Sequence, residues 1–172
     1  MSLAIKKTPD DIRAQRLRMK NPCGHIIVAP LWPKKGENLG TLARTCDAVG
    51  ACVAVPQSRD AIKAVIKGNT IGMHNTCLHP VASPEPWLED QRLLGWRVVG
   101  VELAHGAIPL LEVRPALGER VVLVLGHEAN GIPRTAWPYL DEVVEIPMHG
   151  VGNSLNVAVA GSLVLYKLAG LS

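Results

Sequence analysis

An aliphatic run that leads directly into a glycine-rich polar loop, "RVVLVLGHEANGIP" at residues 120–133, gives the strongest indication of the fold in this 172-residue chain. The valines and leucines follow one another with no polar residue between them, which is typical of a strand buried on both faces. Strands of this kind occur mainly in parallel sheets that helices cover on both sides. The stretch therefore predicts an α/β fold.

Four other runs have a similar character, and helical segments separate them. The predicted strands are residues 25–32, 51–56, 96–103, 120–126 and 142–147, and the predicted helices are residues 38–50, 59–68, 84–96 and 155–168, with a short helical turn within 132–141. Asn38 suits the N-cap of the first helix, and Gly50 suits the position just after its end. Strands that alternate with helices predict a mostly parallel sheet with helices on both faces.

Positive charge is concentrated at the start of the chain. Residues 1–20 carry six basic and two acidic residues, a net +4, which leaves about −1 for the remaining 152 residues of a chain whose total is +3. We therefore predict a basic N-terminal arm at residues 1–20 and a single domain at residues 21–172. Such an arm suits a polyanionic partner, although a solvated, partly helical tail explains the charge equally well. The basic residues closest to the domain are Arg13, Arg16, Arg18 and Lys20.

The four cysteines, Cys23, Cys46, Cys52 and Cys77, contain no CxxC pair, and no signal-peptide pattern precedes them. They are expected to be free thiols that act as small buried hydrophobic residues, as in a cytoplasmic protein. The segment "HNTCLH" at residues 74–79 offers three metal ligands without a second cluster, so no metal site is predicted. The last helix is too short for the ~20 apolar residues of a membrane span.

Three unusual loops follow predicted strands: "PKKGENLG" at 33–40, "GHEANGIP" at 126–133 and "PMHGVGNS" at 147–154. The carboxyl ends of parallel strands meet at one edge of the sheet, where ligands usually bind, so these loops predict a single site. Neither a GxGxxG fingerprint nor a P-loop is present. From the residues alone, the glycines either make tight turns or let backbone groups approach a nucleotide-like ligand.

Three segments settle this choice in favour of a ligand. The stretches "NLGTLARTCDAVG" (38–50), "VLVLGHEANGIP" (122–133) and "IPMHGVGNSLNVAVA" (146–160) resemble, in order, the three motifs of the SPOUT superfamily, and more specifically the TrmH/SpoU family of RNA ribose 2′-O-methyltransferases. The likeness extends over about residues 25–169. It implies a C-terminal trefoil knot, a homodimer, S-adenosylmethionine as the cofactor with no metal, and RNA as the substrate, with tRNA favoured and rRNA possible.

The resemblance also implies roles for individual residues. Arg44 matches the catalytic arginine of the family, where its permanent charge would bind an RNA phosphate and stabilise the developing alkoxide. A surface ion pair is the alternative for Arg44, and helix capping is the alternative for Asn38, which would otherwise orient Arg44 or the RNA. Glu128 would orient Arg44 or Asn38. Ser154 and Asn156 would face the cofactor and the ribose, and Ser154 is also a candidate cap of the last helix.

The cofactor would lie against backbone from several loops, and small residues would let the last helix approach them. The implied cofactor-binding residues are Leu125, Gly126, Ile146, Met148, Ser154 and Leu155. Ala158, Ala160 and Gly161 would keep the helix slim at the knot. His127 departs from the small residue expected before Glu128. A non-catalytic RNA-binding or assembly factor remains an alternative, whereas methylation of a base is disfavoured by the arginine and "SLN" motifs.

Overall fold

The computed structural model describes residues 7–8, 10–11, 24–68, 77–152 and 154–171 and contains a seven-stranded sheet. The strands are β1 (Ile26–Pro30), β2 (Cys52–Pro56), β3 (Leu78–Val81), β4 (Arg97–Val101), β5 (Ile108–Pro109), β6 (Val121–Leu125) and β7 (Glu142–Glu145). Their order is β3-β2-β1-β6-β4-β7-β5, and every neighbouring pair is parallel. The predicted α/β fold is confirmed, as are all five predicted strands, while β3 and β5 were not predicted.

Helices cover both faces of this sheet. They are α1 (Gly36–Val49), α2 (Arg59–Gly68), α3 (Pro84–Leu93) and α4 (Val157–Leu168), with 3-10 turns at Leu110–Glu112 and Trp137–Tyr139. Helices α1, α2 and α4 contribute to one hydrophobic core, and α3 contributes Leu88 to a second core on the opposite face. The central strand β6 is buried along its whole length and supplies side chains to both cores. Its aliphatic composition is the consequence of that position.

The ends of α1 show where capping was predicted correctly and where it was not. Gly50 ends the helix in the left-handed region, at φ 83°, and its N–H donates to the carbonyl of Cys46. This confirms the predicted end. The predicted N-cap is wrong, because α1 begins two residues before Asn38 and the cap position belongs to Lys35. Asn38 lies inside the first turn, and its side chain is buried and used elsewhere.

Helix α4 approaches β6 and α1 closely at Gly161. A β-carbon at Gly161 would lie 2.5 Å from Cδ1 of Leu125 and 2.9 Å from Cδ2 of Leu42. Both distances are well below van der Waals contact, so the position excludes a larger residue unless both leucines move. The neighbours at Gly161 are the ends of leucine side chains, so the expectation that small residues let backbone pass close to backbone at a knot stays a prediction. The trefoil knot itself stays a prediction of the family resemblance.

The cysteines differ from the prediction. Cys52 and Cys77 form a disulfide, so the expectation of free thiols is wrong for these two residues. Adjacent parallel strands place their Cα atoms 4.6 Å apart although they are 25 residues apart in sequence, and no local sequence pattern indicates such a contact. Cys46 is free and buried, and its burial raises the pKa of the thiol. Cys23 lies outside the described residues.

Two predictions concern parts of the chain that the structure describes incompletely. Most of the basic arm, including Arg13, Arg16, Arg18 and Lys20, lies outside the described residues, so the boundary at residue 20 stays a prediction. In the part of the chain that is described, no helix has both the length and the apolar character that crossing a membrane requires.

Candidate functional site

A cavity of about 940 Å³ lies at the carboxyl ends of β4, β6 and β7. This is the edge of the sheet at which the sequence predicted a site. All six residues that were assigned to the cofactor line the cavity: Leu125, Gly126, Ile146, Met148, Ser154 and Leu155. Residues that follow β4, β6 and β7, together with the start of α4, surround this space, whose size is that of a small-molecule site. Of the three loops that were predicted to form one site, the loop at 33–40 does not line the cavity, and it is joined to the cavity wall only by hydrogen bonds to Glu128.

The loop after β6 is a tight hairpin that forms one wall of the cavity. The backbones of His127 and Gly131 exchange two hydrogen bonds of 2.9 and 2.8 Å, and Gly131 has a φ of 65°. Nδ1 of His127 accepts hydrogen bonds from the N–H groups of Ala129 and Asn130, at 3.0 and 3.2 Å. The histidine that departs from the family pattern thus organises the loop from within.

Glu102 holds this loop from the neighbouring strand, and sequence reasoning did not identify it. Its carboxylate accepts a hydrogen bond of 2.9 Å from the N–H of Ile132 and another of 3.1 Å from the N–H of Leu103. The side chain also lines the cavity. The only signal in the sequence was an acidic residue near the carboxyl end of the predicted strand 96–103, at the edge of the sheet where the site lies.

Hydrogen bonds join the three sequence motifs beside the cavity. The side-chain amide of Asn38 donates to Glu128 at 2.6 Å, and Asn156 donates to Oδ1 of Asn38 at 3.0 Å. Glu128 also accepts from the backbone N–H groups of Lys34 and Lys35, at 2.8 and 3.0 Å. One carboxylate therefore fixes the loop before α1, and through Asn38 it positions the start of α4.

These contacts change the acidity of Glu128. Burial raises its pKa, but the backbone N–H groups and the Asn38 amide that donate to the carboxylate outweigh burial, so the net pKa lies below the ordinary value of 4.5. A lowered pKa in the folded state means that the charged carboxylate stabilises the fold at neutral pH. That stabilisation is lost as the pH falls through the pKa of the folded state.

Replacing Glu128 with glutamine should reduce the free energy of unfolding by about 0.5–1 kcal/mol at pH 7, a modest value because the side chain is partly exposed to solvent. The difference from the unchanged protein should shrink as the pH is lowered below 4.5, because protonation removes the same charge. Urea unfolding at several pH values measures both effects. Glu89→Gln, at an exposed position of α3, is the matched control. A difference that does not depend on pH would contradict this assignment.

Asn156, and not Ser154, caps the last helix. Its Oδ1 accepts hydrogen bonds from the N–H groups of Ala158 and Val159 at 2.8 and 3.2 Å, while its amide reaches Asn38. The expectation that Ser154 caps this helix is wrong, because α4 begins at Val157 and Asn156 occupies the cap position. Ser154 is exposed at the cavity instead.

We expect Asn156→Ala to lower the free energy of unfolding by about 1 kcal/mol, the usual contribution of an N-cap. Asn156→Ser keeps an oxygen for the cap but is too short to reach Asn38, so it should restore most of the stability without restoring the contact between α1 and α4. Chemical denaturation of the two variants separates the two roles. If serine is as destabilising as alanine, capping is not the main contribution of Asn156.

Arg44 is not at the cavity of its own chain. Its side chain is exposed on α1, and no hydrogen bond or ion pair joins its guanidinium to another of the described residues. It belongs to an exposed helical stripe that also contains Glu37, Thr41 and Ala48. Of the five residues assigned to catalysis, the structure joins Asn38, Glu128 and Asn156 directly, places Ser154 at the cavity, and leaves Arg44 apart.

The fold and the site define an α/β protein with a ligand cavity at the carboxyl edge of a parallel sheet. Within that class, residues 25–166 match the SpoU rRNA Methylase family, and the chain belongs to this family. The resemblance to TrmH/SpoU proteins seen in the sequence motifs is thereby confirmed.

Individual relatives agree with this assignment. The chain is 32% identical over 136 residues to the tRNA (guanosine(18)-2′-O)-methyltransferase of Aquifex aeolicus, and this match covers 78% of the chain and 64% of the relative. It is 33% identical over 156 residues to the mouse tRNA (guanosine(18)-2′-O)-methyltransferase TARBP1. This match covers 83% of the chain but only 9% of the much longer mouse protein. The chain thus spans less than two thirds of the length of either relative.

A solved structure shares the fold. The AdoMet-bound rRNA methyltransferase from Sinorhizobium meliloti has a TM-score of 0.70 and 26% sequence identity, and the match covers 84% of this chain and 56% of that protein.

Proposed function

We propose that this protein is an S-adenosylmethionine-dependent RNA methyltransferase that modifies the ribose 2′-hydroxyl. The observation that carries the proposal is a cavity lined by residues of the second and third motifs, where Glu128 in the wall is hydrogen-bonded to Asn38 of the first motif, and Asn38 to Asn156 of the third. Relatives that carry out RNA 2′-O-methylation support it.

The cavity suits the cofactor in shape and chemistry. Its walls combine apolar side chains, such as Leu125 and Ile146, with backbone groups at strand ends, which can bind an adenosine without charged residues. Gly126 lets the backbone of the loop approach closely, because a β-carbon there would overlap backbone atoms of Gly131 and Ile132. When bound, S-adenosylmethionine supplies an electrophilic methyl group on a sulfonium.

The residues of this chain would then act on the acceptor. A ribose hydroxyl is a poor nucleophile until it loses its proton, so the site must hold the oxygen in line with the methyl group and stabilise negative charge on it. Arg44 is assigned to this task because its guanidinium stays charged and can pair with a phosphate of the RNA. Ser154 and Asn156 lie at the cavity and at the start of α4, where they would position the ribose.

A homodimer is part of the proposal, because it provides a way to bring Arg44 to a cavity. Helix α4 exposes Val159, Leu163 and Tyr166, with 48%, 44% and 38% of each residue accessible to solvent. This apolar stripe adjoins α1, since Thr45 and Ser162 form a hydrogen bond of 3.0 Å between the two helices. Two chains that associate through α1 and α4 would bury the stripe and place Arg44 near the cavity of the partner.

Transfer RNA is the favoured substrate, and the names of the mouse and Aquifex relatives support it. Ribosomal RNA is the second candidate, supported by the Sinorhizobium meliloti neighbour.

The basic arm at residues 1–20 is proposed to contact the RNA backbone, in which case deleting it should weaken RNA binding and reduce the dependence of affinity on salt. An unchanged affinity at low salt would show that the arm is only a tail. A cytoplasmic location remains a prediction. The expectation of free cysteines was one argument for it, and the Cys52–Cys77 disulfide contradicts that argument.

Incubation with methyl-labelled cofactor and separate tRNA and rRNA fractions tests the function. We expect the label in an alkali-resistant dinucleotide, because a 2′-O-methyl group blocks cleavage of the adjacent phosphodiester. Label on a free base would indicate base methylation. Absence of transfer to either RNA, in protein that binds the cofactor, would favour a non-catalytic RNA-binding factor.

A further inference from the structure

Two sulfur atoms and an imidazole lie close together near the amino-terminal ends of β2 and β3, whereas the cavity lies at the carboxyl ends of β4, β6 and β7. Cys52 is the first residue of β2. Cys77 is the residue directly before β3, the strand that pairs with β2. The N–H of Val53 donates to the carbonyl of Cys77 at 2.8 Å, which fixes the two strands side by side. Nε2 of His79 lies 3.6 Å from Sγ of Cys77. The potential ligand atoms of Cys52, Cys77 and His79 all lie within 4.8 Å of one another.

This cluster has the chemistry of a metal site. Cysteine sulfur and histidine nitrogen are the preferred ligands of zinc, and three of them in one place form most of a tetrahedral shell. Cys52 is buried and the other two residues are half-buried, so the cluster opens to solvent on one side, where a water molecule can complete the coordination. The sequence alone showed only the ligands of residues 74–79, because Cys52 joins them through the pairing of β2 with β3.

The disulfide determines when these ligands are available. In the oxidised chain both sulfurs are bonded to each other and cannot act as thiolates. A dithiol reductant delivers two electrons and two protons to this bond, which gives the Cys52 and Cys77 thiols and leaves the reductant as a disulfide. Zinc then replaces both thiol protons, which are released to solvent.

We propose that Cys52, Cys77 and His79 form a redox-controlled binding site for one zinc ion, closed by the disulfide and opened by reduction. In either state the cluster joins β3, an edge strand, to β2, so the fold keeps a cross-link while its chemical nature changes. This proposal concerns residues that play no part in the cavity, and its test does not depend on methyl transfer.

The full chain, prepared both oxidised and reduced with a phosphine, is titrated with zinc, and the bound metal is measured after removal of the excess. We expect one zinc per chain in the reduced protein and none in the oxidised protein. Cobalt in place of zinc should show a thiolate charge-transfer band that requires both cysteines. His79→Ala should weaken zinc binding at least about tenfold, and Cys52→Ser should abolish it.

Two controls make the outcome decisive. Cys46→Ala removes a buried free thiol outside the cluster and should bind zinc like the unchanged reduced protein. Circular dichroism shows whether each variant is folded, and His79→Ala, which keeps both cysteines, covers the case in which Cys52→Ser fails to fold. The proposal is overturned if the reduced protein binds no zinc, or if binding is equal in the oxidised protein or in folded His79→Ala.

Discussion

Replacing Arg44 with alanine is expected to reduce methyl transfer by about 10²–10³-fold while leaving the affinity for S-adenosylmethionine unchanged. The physical reason is that the guanidinium is assigned to the RNA acceptor and does not line the cavity of its own chain. Arg44 is exposed and makes no hydrogen bond or ion pair with another described residue, so its loss should not unfold α1. Turnover with saturating RNA and calorimetric titration of the cofactor measure the two quantities.

The matched variant is Arg44→Lys, which keeps the charge but loses the planar group that pairs with a phosphate through two hydrogen bonds. Its activity should lie between that of alanine and that of arginine. The assignment is wrong if Arg44→Ala keeps its turnover, or if the affinity for the cofactor falls as much as the rate.

Mixed dimers can establish which chain supplies the arginine. Chains with Arg44→Ala retain a complete cavity, and chains with Gly126→Ala retain the arginine. The assay uses a cofactor concentration below the dissociation constant of the Gly126→Ala cavity, so that each variant alone has little activity. If Arg44 acts across the proposed dimer, random reassociation of the two variants should restore about a quarter of the activity of the unchanged protein, because half of the dimers are mixed and each has one complete site. If Arg44 acts within its own chain, the mixture shows no gain over the two variants alone. Mixing each variant with itself is the control.

The sequence predicted those parts of the fold that depend on local composition. Four of the five predicted strands are long aliphatic runs, which burial in a parallel sheet requires, and the fifth, at 142–147, is a shorter run that contains two glutamates. The structure also contains two strands without this signal. Leu78–Val81 carries a histidine and a proline at the edge of the sheet, and Ile108–Pro109 has only two residues. An edge strand needs burial on fewer sides, so its composition is less constrained.

The details of the site that were missed depend on contacts between distant residues. Both Ser154 and Asn156 are suitable caps, and the choice depends on where the chain turns into α4 beside Asn38, 118 residues away in sequence. Asn38 likewise looked like a cap, but Glu128 and Asn156 use its side chain within the helix. Glu102 and the Cys52–Cys77 pair gain their roles only when neighbouring strands align.

Gly126→Ala should weaken binding of S-adenosylmethionine by about 10–100-fold, which corresponds to the 1–3 kcal/mol that overpacking usually costs. A β-carbon at Gly126 would overlap the carbonyl carbon of Gly131 and the backbone nitrogen of Ile132. Backbone cannot move aside as the end of a flexible side chain can, so the hairpin would have to open. The two hydrogen bonds between His127 and Gly131 would then be lost, and with them the shape of that wall of the cavity.

A second glycine at the same edge of the sheet provides the control for this prediction. A β-carbon at Gly150 would meet no atom within 4 Å, so Gly150→Ala adds the same methyl group without displacing any backbone. Calorimetric titration with the cofactor should therefore separate the two variants, and thermal unfolding shows whether Gly126→Ala disturbs only the loop or the whole fold. Cofactor affinity equal to that of the unchanged protein in Gly126→Ala would mean that the hairpin after β6 does not form the binding wall, because the substitution alters that hairpin more directly than any other part of the cavity.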